Sequence, residues 1–373
     1  MKRSIPISAP ALVGNEKAYV LDCLNSTWIS SSGPYVTRFE AAFAEFCDVK
    51  HAISCCNGTV ALHLALLALG VCPGDEVIVP TLTFVATANS VVYCGARPVF
   101  VDSEPETWNL DATLISDRIT PRTKGIIVVH LYGHPVDMDP VLALARKHGL
   151  FVIEDAAEAH GAEYKSRRVG SMVDVATFSF YGNKIITTGE GGMVITGDDA
   201  LAARVRQLKG QGMDSNRRYW FPVIGYNYRM TNVAAAIGLA QLEKIDWHIA
   251  RRREIANQYA HHLGGLPGFT LQPEKPWARN VYWMTSVVLD GQIRDSREAV
   301  MARLAKVGIE TRPFFYPMHT LPMYQDLARK QHFPIADYLA ARGLNLPSSS
   351  TLTEKEVVFV CDQLRQISWA SGK

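Results

Sequence analysis

The stretch AISCCNGTVALHLALLALG, Ala52–Gly70, decides the fold. Its opening residues Ala52–Cys55 form a short apolar run of the length of a buried strand. Asn57-Gly58-Thr59 then interrupts the run, and Val60–Leu69 has the length and apolar spacing of a helix laid against a sheet. The same unit recurs on the C-terminal side. Apolar runs lie at Glu76–Val79, Arg97–Val101, Gly125–Val129, Leu150–Glu154, Val175–Phe180 and Met193–Thr196, with helical stretches such as Pro140–His148 between them. Near-continuous apolar strands alternating with helices belong to a sheet covered on both faces. The spacing therefore predicts an α/β fold with a mainly parallel sheet.

Beyond about Thr231 the character changes. A long helical pattern spans Asn232–Leu263, turn residues occupy Gly264–Pro267, and a strand-like Val281–Leu289 precedes a helix-like Ser296–Val307. This predicts a large domain over residues 1–245, including the N-terminal segment, and a smaller α+β domain over 246–373. Arg251-Arg252-Arg253 inside the long helix reads as a solvated helix face, since its surroundings are not basic.

At 373 residues the chain is too long for one small core and suits two domains. Hydrophobic residues make up 48% and charged residues 20%, the balance of an ordinary globular protein. A net charge of +2 gives no reason to expect a nucleic acid partner. The basic start Met1-Lys2-Arg3 is followed by no apolar run, and no stretch approaches about eighteen apolar residues, so no membrane association and a cytoplasmic location are expected. Seven cysteines, an odd number without C-x-x-C spacing, suggest neither a disulfide framework nor zinc. Cys55 and Cys56, adjacent on a strand, point to opposite faces and read as packing groups.

In open α/β sheets ligands bind at the carboxyl ends of strands, so the polar residues that follow the apolar runs carry the chemistry. Asn57-Gly58-Thr59 has two readings: a helix start that receives an anion such as phosphate, or an N-cap made by Asn57 or Thr59. Asp155, after Leu150–Glu154, suits a protonated ring nitrogen and equally a capping carboxylate. His160 reads as a packed histidine. Lys184 lies in TFSFYGNKIITTGEGGMV (Thr177–Val194), just past an apolar strand and among Gly182, Gly189, Gly191 and Gly192. A lysine held in such a crevice is desolvated, loses its proton readily and is then able to attack an aldehyde. Ser179 offers a hydroxyl to a phosphate. The glycines match neither G-x-G-x-x-G nor a P-loop, and His130 and His134, four apart without H-E-x-x-H, do not point to a metal.

Taken together, several blocks in fixed order resemble one family, the DegT/DnrJ/EryC1/StrS sugar-nucleotide aminotransferases. They are TWISSSGPYVTRFE (Thr27–Glu40), NGTVALHLALLALG (Asn57–Gly70), GDEVIVPTLTFVAT (Gly74–Thr87), EDAAEAHGA (Glu154–Ala162), the Lys184 segment and GYNYRMTNVAAAIGLAQLE (Gly225–Glu243). The resemblance implies the fold type I architecture of pyridoxal 5'-phosphate (PLP) enzymes, with Lys184 carrying the cofactor as a Schiff base and Asp155 paired with its ring nitrogen. It also implies that Gly58, Thr59 and Ser179 hold the phosphate, that Phe84 packs on the ring, and that Glu158 stands near the ring hydroxyl where many members have glutamine. Asn227 occupies a family position that reaches the phosphate from a neighbouring subunit, which makes a homodimer with shared sites the minimum assembly.

HLYGHPVDM (His130–Met138), SFYGNKIITTGEGG (Ser179–Gly192), KGQG (Lys209–Gly212) and TRPFFYPMHTLPMY (Thr311–Tyr324) are similar to members that use L-glutamate to aminate C4 of GDP-4-keto-6-deoxymannose. Arg312, Tyr316 and His319 in the last block are candidate substrate contacts. Rival readings are a dTDP- or UDP-linked ketosugar, amination at C3, or a regulator retaining the fold. Dehydrating relatives carry histidine at the lysine position, so Lys184 argues against that chemistry.

Overall fold

The structure, a computed structural model, describes residues 4–329 and 331–367; the basic start Met1-Lys2-Arg3 and the last six residues of the expected C-terminal domain lie outside the described residues. The strands in chain order are β1 (His51–Cys55), β2 (Glu76–Pro80), β3 (Arg97–Val101), β4 (Thr123–Val129), β5 (Phe151–Asp155), β6 (Glu163–Tyr164), β7 (Arg167–Arg168), β8 (Val175–Ser179), β9 (Gly192–Thr196), β10 (Phe269–Leu271), β11 (Ala278–Arg279), β12 (Thr285–Leu289), β13 (Arg312–Pro313) and β14 (Gly343–Leu346). All seven apolar runs join one sheet, ordered β1-β9-β8-β5-β4-β2-β3. The pairs β2–β3, β2–β4, β4–β5 and β5–β8 are parallel, and β9 alone runs antiparallel, against both β8 and β1. The α/β fold with a mainly parallel sheet is thus the one the sequence predicts.

Alternation along these strands splits the core into two layers. Val77, Val79, Ile127 and Ile153 point into one apolar cluster, while Ile78, Ile126, Val128 and Val152 point into the other. Each is fully or nearly fully buried, worth about 1.5–3 kcal/mol against exposure. Helices α2 (Pro34–Cys47), α3 (Gly58–Ala68), α4 (Ala86–Tyr93), α5 (Met138–His148) and α6 (Asp199–Lys209) cover the sheet, and α1 (Glu16–Ser26) packs on the helix over Asn232–Leu242. Phe39 and Phe43 on α2 pack edge-on or tilted against Phe178 and Phe180, and His160 lies in the same aromatic cluster.

The register brings the chemistry to one edge. Asp155 stands beside Val129 on one side and Thr177 on the other, and Ser179, Gly192 and Cys55 are consecutive cross-strand partners. Because β9 is antiparallel, its glycine-rich start meets the ends of β8 and β1. A Cβ at Gly192 would sit 2.3 Å from the Asn57 carbonyl oxygen, so only glycine lets the β1–α3 turn approach this closely.

The long helix expected over Asn232–Leu263 is two helices, α7 (Asn232–Leu242) and α8 (Ile245–Leu263). No glycine or proline marks the break. Lys244 N–H bonds back to Gln241 O, tightening the last turn, and the Glu243 carboxylate accepts hydrogen bonds from Asn15 and Tyr19 at α1. The Arg251–Arg253 run is not a solvated face either. Arg252 is 2% exposed, Arg251 donates to the Ser350 and Leu352 carbonyls, and Arg253 pairs with Glu274.

A second sheet, β10-β12-β14-β13, is antiparallel and packs its own apolar cluster with α8, including Ile255, Tyr259, Val287 and Leu344. Ile5 belongs to this cluster and bridges to Ile309, while β11 pairs with β6 in a third, three-stranded sheet, β11-β6-β7. The strand expected from Val281 begins only at Thr285. Residues 281–284 instead run past Gly133, where a Cβ would meet Trp283 N at 2.8 Å and where φ is +104°. Among the described residues no helix is long and apolar enough to cross a membrane.

Candidate active site

A cavity of about 490 Å³ opens at the carboxyl ends of β1, β5 and β8, where the fold places ligands. Asp155, the last residue of β5, is buried on its floor. Its Oδ2 accepts from Thr87 Oγ1 at 2.8 Å and its Oδ1 from Ala157 N at 3.3 Å. Burial pushes this carboxyl above its ordinary range, against those hydrogen bonds and the nearby charge of Lys184.

Lys184 reaches the same cavity from the segment after β8, its side chain only 12% exposed. Burial lowers its ammonium pKa, and the carboxylates of Glu158 and Asp155 raise it in part. Nζ stands 3.8 Å from Glu158 Oε1 and 4.0 Å from the centroid of the Trp283 ring. Glu158 is buried, accepts from Tyr132 N at 2.8 Å, and is pushed up to about 7, chiefly by burial. One cavity thus holds a desolvated amine, a carboxylate fixed by two donors and a carboxyl that titrates near neutrality.

The mouth of α3 lines the cavity through Gly58 and Thr59. Asn57 caps the helix, its Oδ1 accepting from Val60 N at 3.0 Å, so the capping reading is met by Asn57. The helix's first N–H groups have no partner within the helix and leave a positive end toward the cavity. Ser179, 8% exposed, closes against this turn: a Cβ at Gly58 would meet Ser179 Cβ at 2.7 Å. Two buried polar atoms of lining residues, Thr177 Oγ1 and Asn183 Oδ1, have no hydrogen-bond partner among the described residues.

Phe84 lines the rim at 53% exposure, its ring centroid 5.7 Å from that of Phe315. Arg312, half exposed, also lines the cavity, 3.6 Å from Glu310. Tyr316 and His319 do not. Tyr316 is 62% exposed elsewhere, and His319 bonds to Thr81 Oγ1 at 2.8 Å and Asp337 at 2.9 Å while stacking on Phe333. Asn227 is exposed away from this cavity, accepting from Arg229 Nε at 3.0 Å.

His160 is fully buried and pushed down to about 3 by desolvation, the packed neutral histidine the sequence suggests. His130 and His134 do not converge. His130 Nε2 meets Glu154 at 2.8 Å, whereas His134 Nε2 accepts from Lys275 N at 3.2 Å. Sequence reasoning missed Thr87, Asn183, Trp283, Phe315 and Asn345, which line the cavity or hold its groups. Thr87 lies inside a block quoted above, but its partnership with Asp155 joins α4 to the end of β5 and has no spacing signature.

The sequence model of the DegT/DnrJ/EryC1/StrS aminotransferase family matches residues 10–365. The chain is 55% identical to a protein named GDP-perosamine synthase from Caulobacter vibrioides, covering 97% of this chain and 98% of that one. It is 51% identical to a protein of the same name from Escherichia coli O157:H7, over the same shares. Among solved structures, Spr1654 from Streptococcus pneumoniae in its PLP-form is 27% identical, with a TM-score of 0.91 and coverage of 96% of this chain and 97% of that one.

Proposed function

Because the chain belongs to the DegT/DnrJ/EryC1/StrS aminotransferase family, we propose that it moves the amino group of L-glutamate to the C4 ketone of GDP-4-keto-6-deoxy-D-mannose, yielding GDP-perosamine and 2-oxoglutarate, with PLP as cofactor. The observation that carries this reading is the convergence of Lys184, Asp155 and Glu158 on one cavity, in a chain more than half identical to proteins named for that product.

The cavity fits a flat, phosphorylated aldehyde. The glycine at position 58 keeps open a cradle between the α3 mouth and Ser179 that a Cβ would fill, and Thr177 Oγ1 and Asn183 Oδ1 stand buried and unpartnered. PLP, when bound, supplies an aldehyde that takes up amino groups and a ring that accepts the electron pair left when a carbon-bound proton departs. Lys184, whose ammonium pKa burial lowers, would hold the cofactor through that aldehyde, and as a free amine its Nζ would carry the proton off the donor α-carbon. In the second half it returns a proton at the sugar carbon. Asp155, its orientation fixed by Thr87, would keep a proton on the ring nitrogen. Gly58, Thr59 and Ser179 would hold its phosphate, with Glu158 toward the ring hydroxyl and Phe84 against the ring face. Arg312 is the substrate-side cation, suited to a carboxylate or phosphate through its planar fork. Tyr316 and His319 lie outside the cavity of one subunit and carry no role in this reading.

Two copies share each site, with Asn227 reaching the partner's phosphate cradle. The exposure of Ile224 at 89%, Tyr219 at 71%, and Trp220 and Phe221 at 51% each supports this, since such a patch seldom faces water. The large domain ends near residue 245, between α7 and α8. All seven cysteines are free, which supports a reducing, cytoplasmic setting.

Mass spectrometry of the nucleotide sugar after incubation with PLP, L-glutamate and GDP-4-keto-6-deoxymannose tests the reading. An amine product is expected. Turnover with a dTDP-linked 4-ketosugar alone sinks the GDP assignment, and normal turnover by Lys184→Ala sinks the lysine's role.

A further inference from the structure

Trp283 lies in the bend that precedes β12, 4% exposed. A buried indole needs a partner for its N–H, and here Nε1 donates to the Asn183 carbonyl at 2.7 Å, one residue before Lys184. The ring face of the same side chain receives the Lys184 ammonium, with Nζ 4.0 Å from the centroid. A third link closes the arrangement. Arg252 of α8 donates through Nη1 to the Trp283 carbonyl at 2.6 Å and through Nη2 to the Lys184 carbonyl at 3.4 Å, so one guanidinium holds both backbone segments. Behind the indole, Tyr132 stacks at 6.3 Å with an interplanar angle of 21°, and Tyr132 N is the donor to Glu158.

We propose that Trp283 is the positioning residue for the free Lys184 amine: its N–H fixes the turn that carries the lysine, and its ring face holds the ammonium inside the cavity. The inference rests on Lys184 being the reactive lysine and deepens that reading. The physical ground is the quadrupole of the indole, whose negative face attracts a cation and does little for a neutral amine, an effect larger where water is excluded. Trp283 therefore favours the charged form and opposes the burial that disfavours it. The charged and titratable groups around Nζ are Glu158 and Asp155 from the end of β5, His160 beneath them and Arg252 behind the lysine backbone. Arg312 and Glu190 line the same cavity. Glu158 and Asp155 act in the same direction as the ring, whereas burial lowers the pKa of His160.

The test uses the full-length chain stripped of cofactor, with PLP capture followed by absorbance across pH. Only the neutral amine attacks, so the midpoint of capture against pH reports the Lys184 amine. Lys184→Ala is expected to lose capture. Trp283→Leu removes the ring face and is expected to move the midpoint about one unit lower. Trp283→Phe keeps a π face and loses the N–H, so its midpoint stays near the wild-type value while capture slows. Circular dichroism checks folding, and Trp283→Met replaces the leucine variant should that one fail to fold. An unchanged midpoint in the leucine or methionine variant, with capture lost in Lys184→Ala, overturns this inference alone. An equal shift in the phenylalanine variant overturns the ring-face argument, and undiminished capture by Lys184→Ala overturns both this inference and the reading beneath it.

Discussion

Glu158 Oε1 stands 3.8 Å from Lys184 Nζ in a cavity that hides both side chains, so the charge on each depends on the other. Burial pushes the glutamate up to about 7 from an ordinary 4.5, and it pushes the lysine down. Each group therefore carries its charge more readily while the other carries its own.

Glu158→Gln removes the carboxylate that favours the ammonium form of Lys184. The pH midpoint of PLP capture by the stripped protein is expected to fall by about one unit. Stability gives an independent check. The folded pKa lies above the unfolded one, so the contribution of Glu158 is complete below about 4.5 and is lost as pH rises toward about 7, because the unfolded carboxyl ionises first. Thermal melts of the stripped protein should show the variant gaining more over wild type at pH 8 than at pH 5. A gain that is equal at both pH values contradicts the raised carboxyl.

Asp155→Asn replaces a carboxylate with a neutral amide that cannot hold a proton on a ring nitrogen by charge. We expect kcat/KM to drop by about a hundredfold or more, roughly 3 kcal/mol of lost transition-state stabilisation. Thr87→Val is the graded version. It deletes the 2.8 Å donor to Asp155 Oδ2 and leaves the carboxylate charged, costing about 1–2 kcal/mol, near tenfold in rate. Steady-state kinetics of both variants check the order, and a threonine effect as large as the aspartate effect contradicts it.

The sheet was legible because its strands are buried on both faces and therefore read as plain apolar runs: the seven runs are the seven strands. Asp155 and Lys184 both line the cavity for a related reason: Asp155 directly follows one apolar run, and Lys184 comes four residues past another, Val175–Phe180. What stayed hidden depends on contacts between distant segments. Trp283 reaches the cavity only because Gly133 lets residues 281–284 run past, and its indole in the sequence is indistinguishable from core. Arg252 looked like one of three surface arginines because its carbonyl partners come from residues 31 and 96 positions away. His319 pointed the other way. It belongs to a block near the site, yet the fold spends both its nitrogens on Thr81 and Asp337.

Gly58→Ala tests the phosphate cradle. The new Cβ would lie 2.7 Å from Ser179 Cβ, which is fixed to the backbone and cannot swing away as a long side chain would, and 3.1 Å from its Oγ. The β8 end and the α3 mouth must then move apart by several tenths of an ångström, which spoils a site that depends on close backbone approach. PLP affinity measured by equilibrium dialysis should weaken at least about tenfold, about 1.4 kcal/mol, with the fold intact by circular dichroism. Ser179→Ala keeps the spacing and removes one hydroxyl, so its loss should be the smaller of the two. The reverse order argues that contact with the hydroxyl, and not the spacing, governs binding.

Arg252→Met tests whether the buried arginine is structural or a misplaced surface group. Its guanidinium donates to the carbonyls of Trp283, Ser348 and Lys184, and burial lowers its pKa to about 10. Methionine matches the length of the stem but leaves three buried carbonyls without that donor, each costing about 1–3 kcal/mol where no water replaces it. Losing the charge itself offsets part of this, because a buried cation is expensive to keep. A net loss of about 2–4 kcal/mol is expected in chemical denaturation, and Arg252→Lys, with one point of donation in place of a fork, should recover only part of it. A solvated arginine would show a change within about 0.5 kcal/mol for either substitution. The two outcomes are far enough apart for a single pair of denaturation curves to separate them.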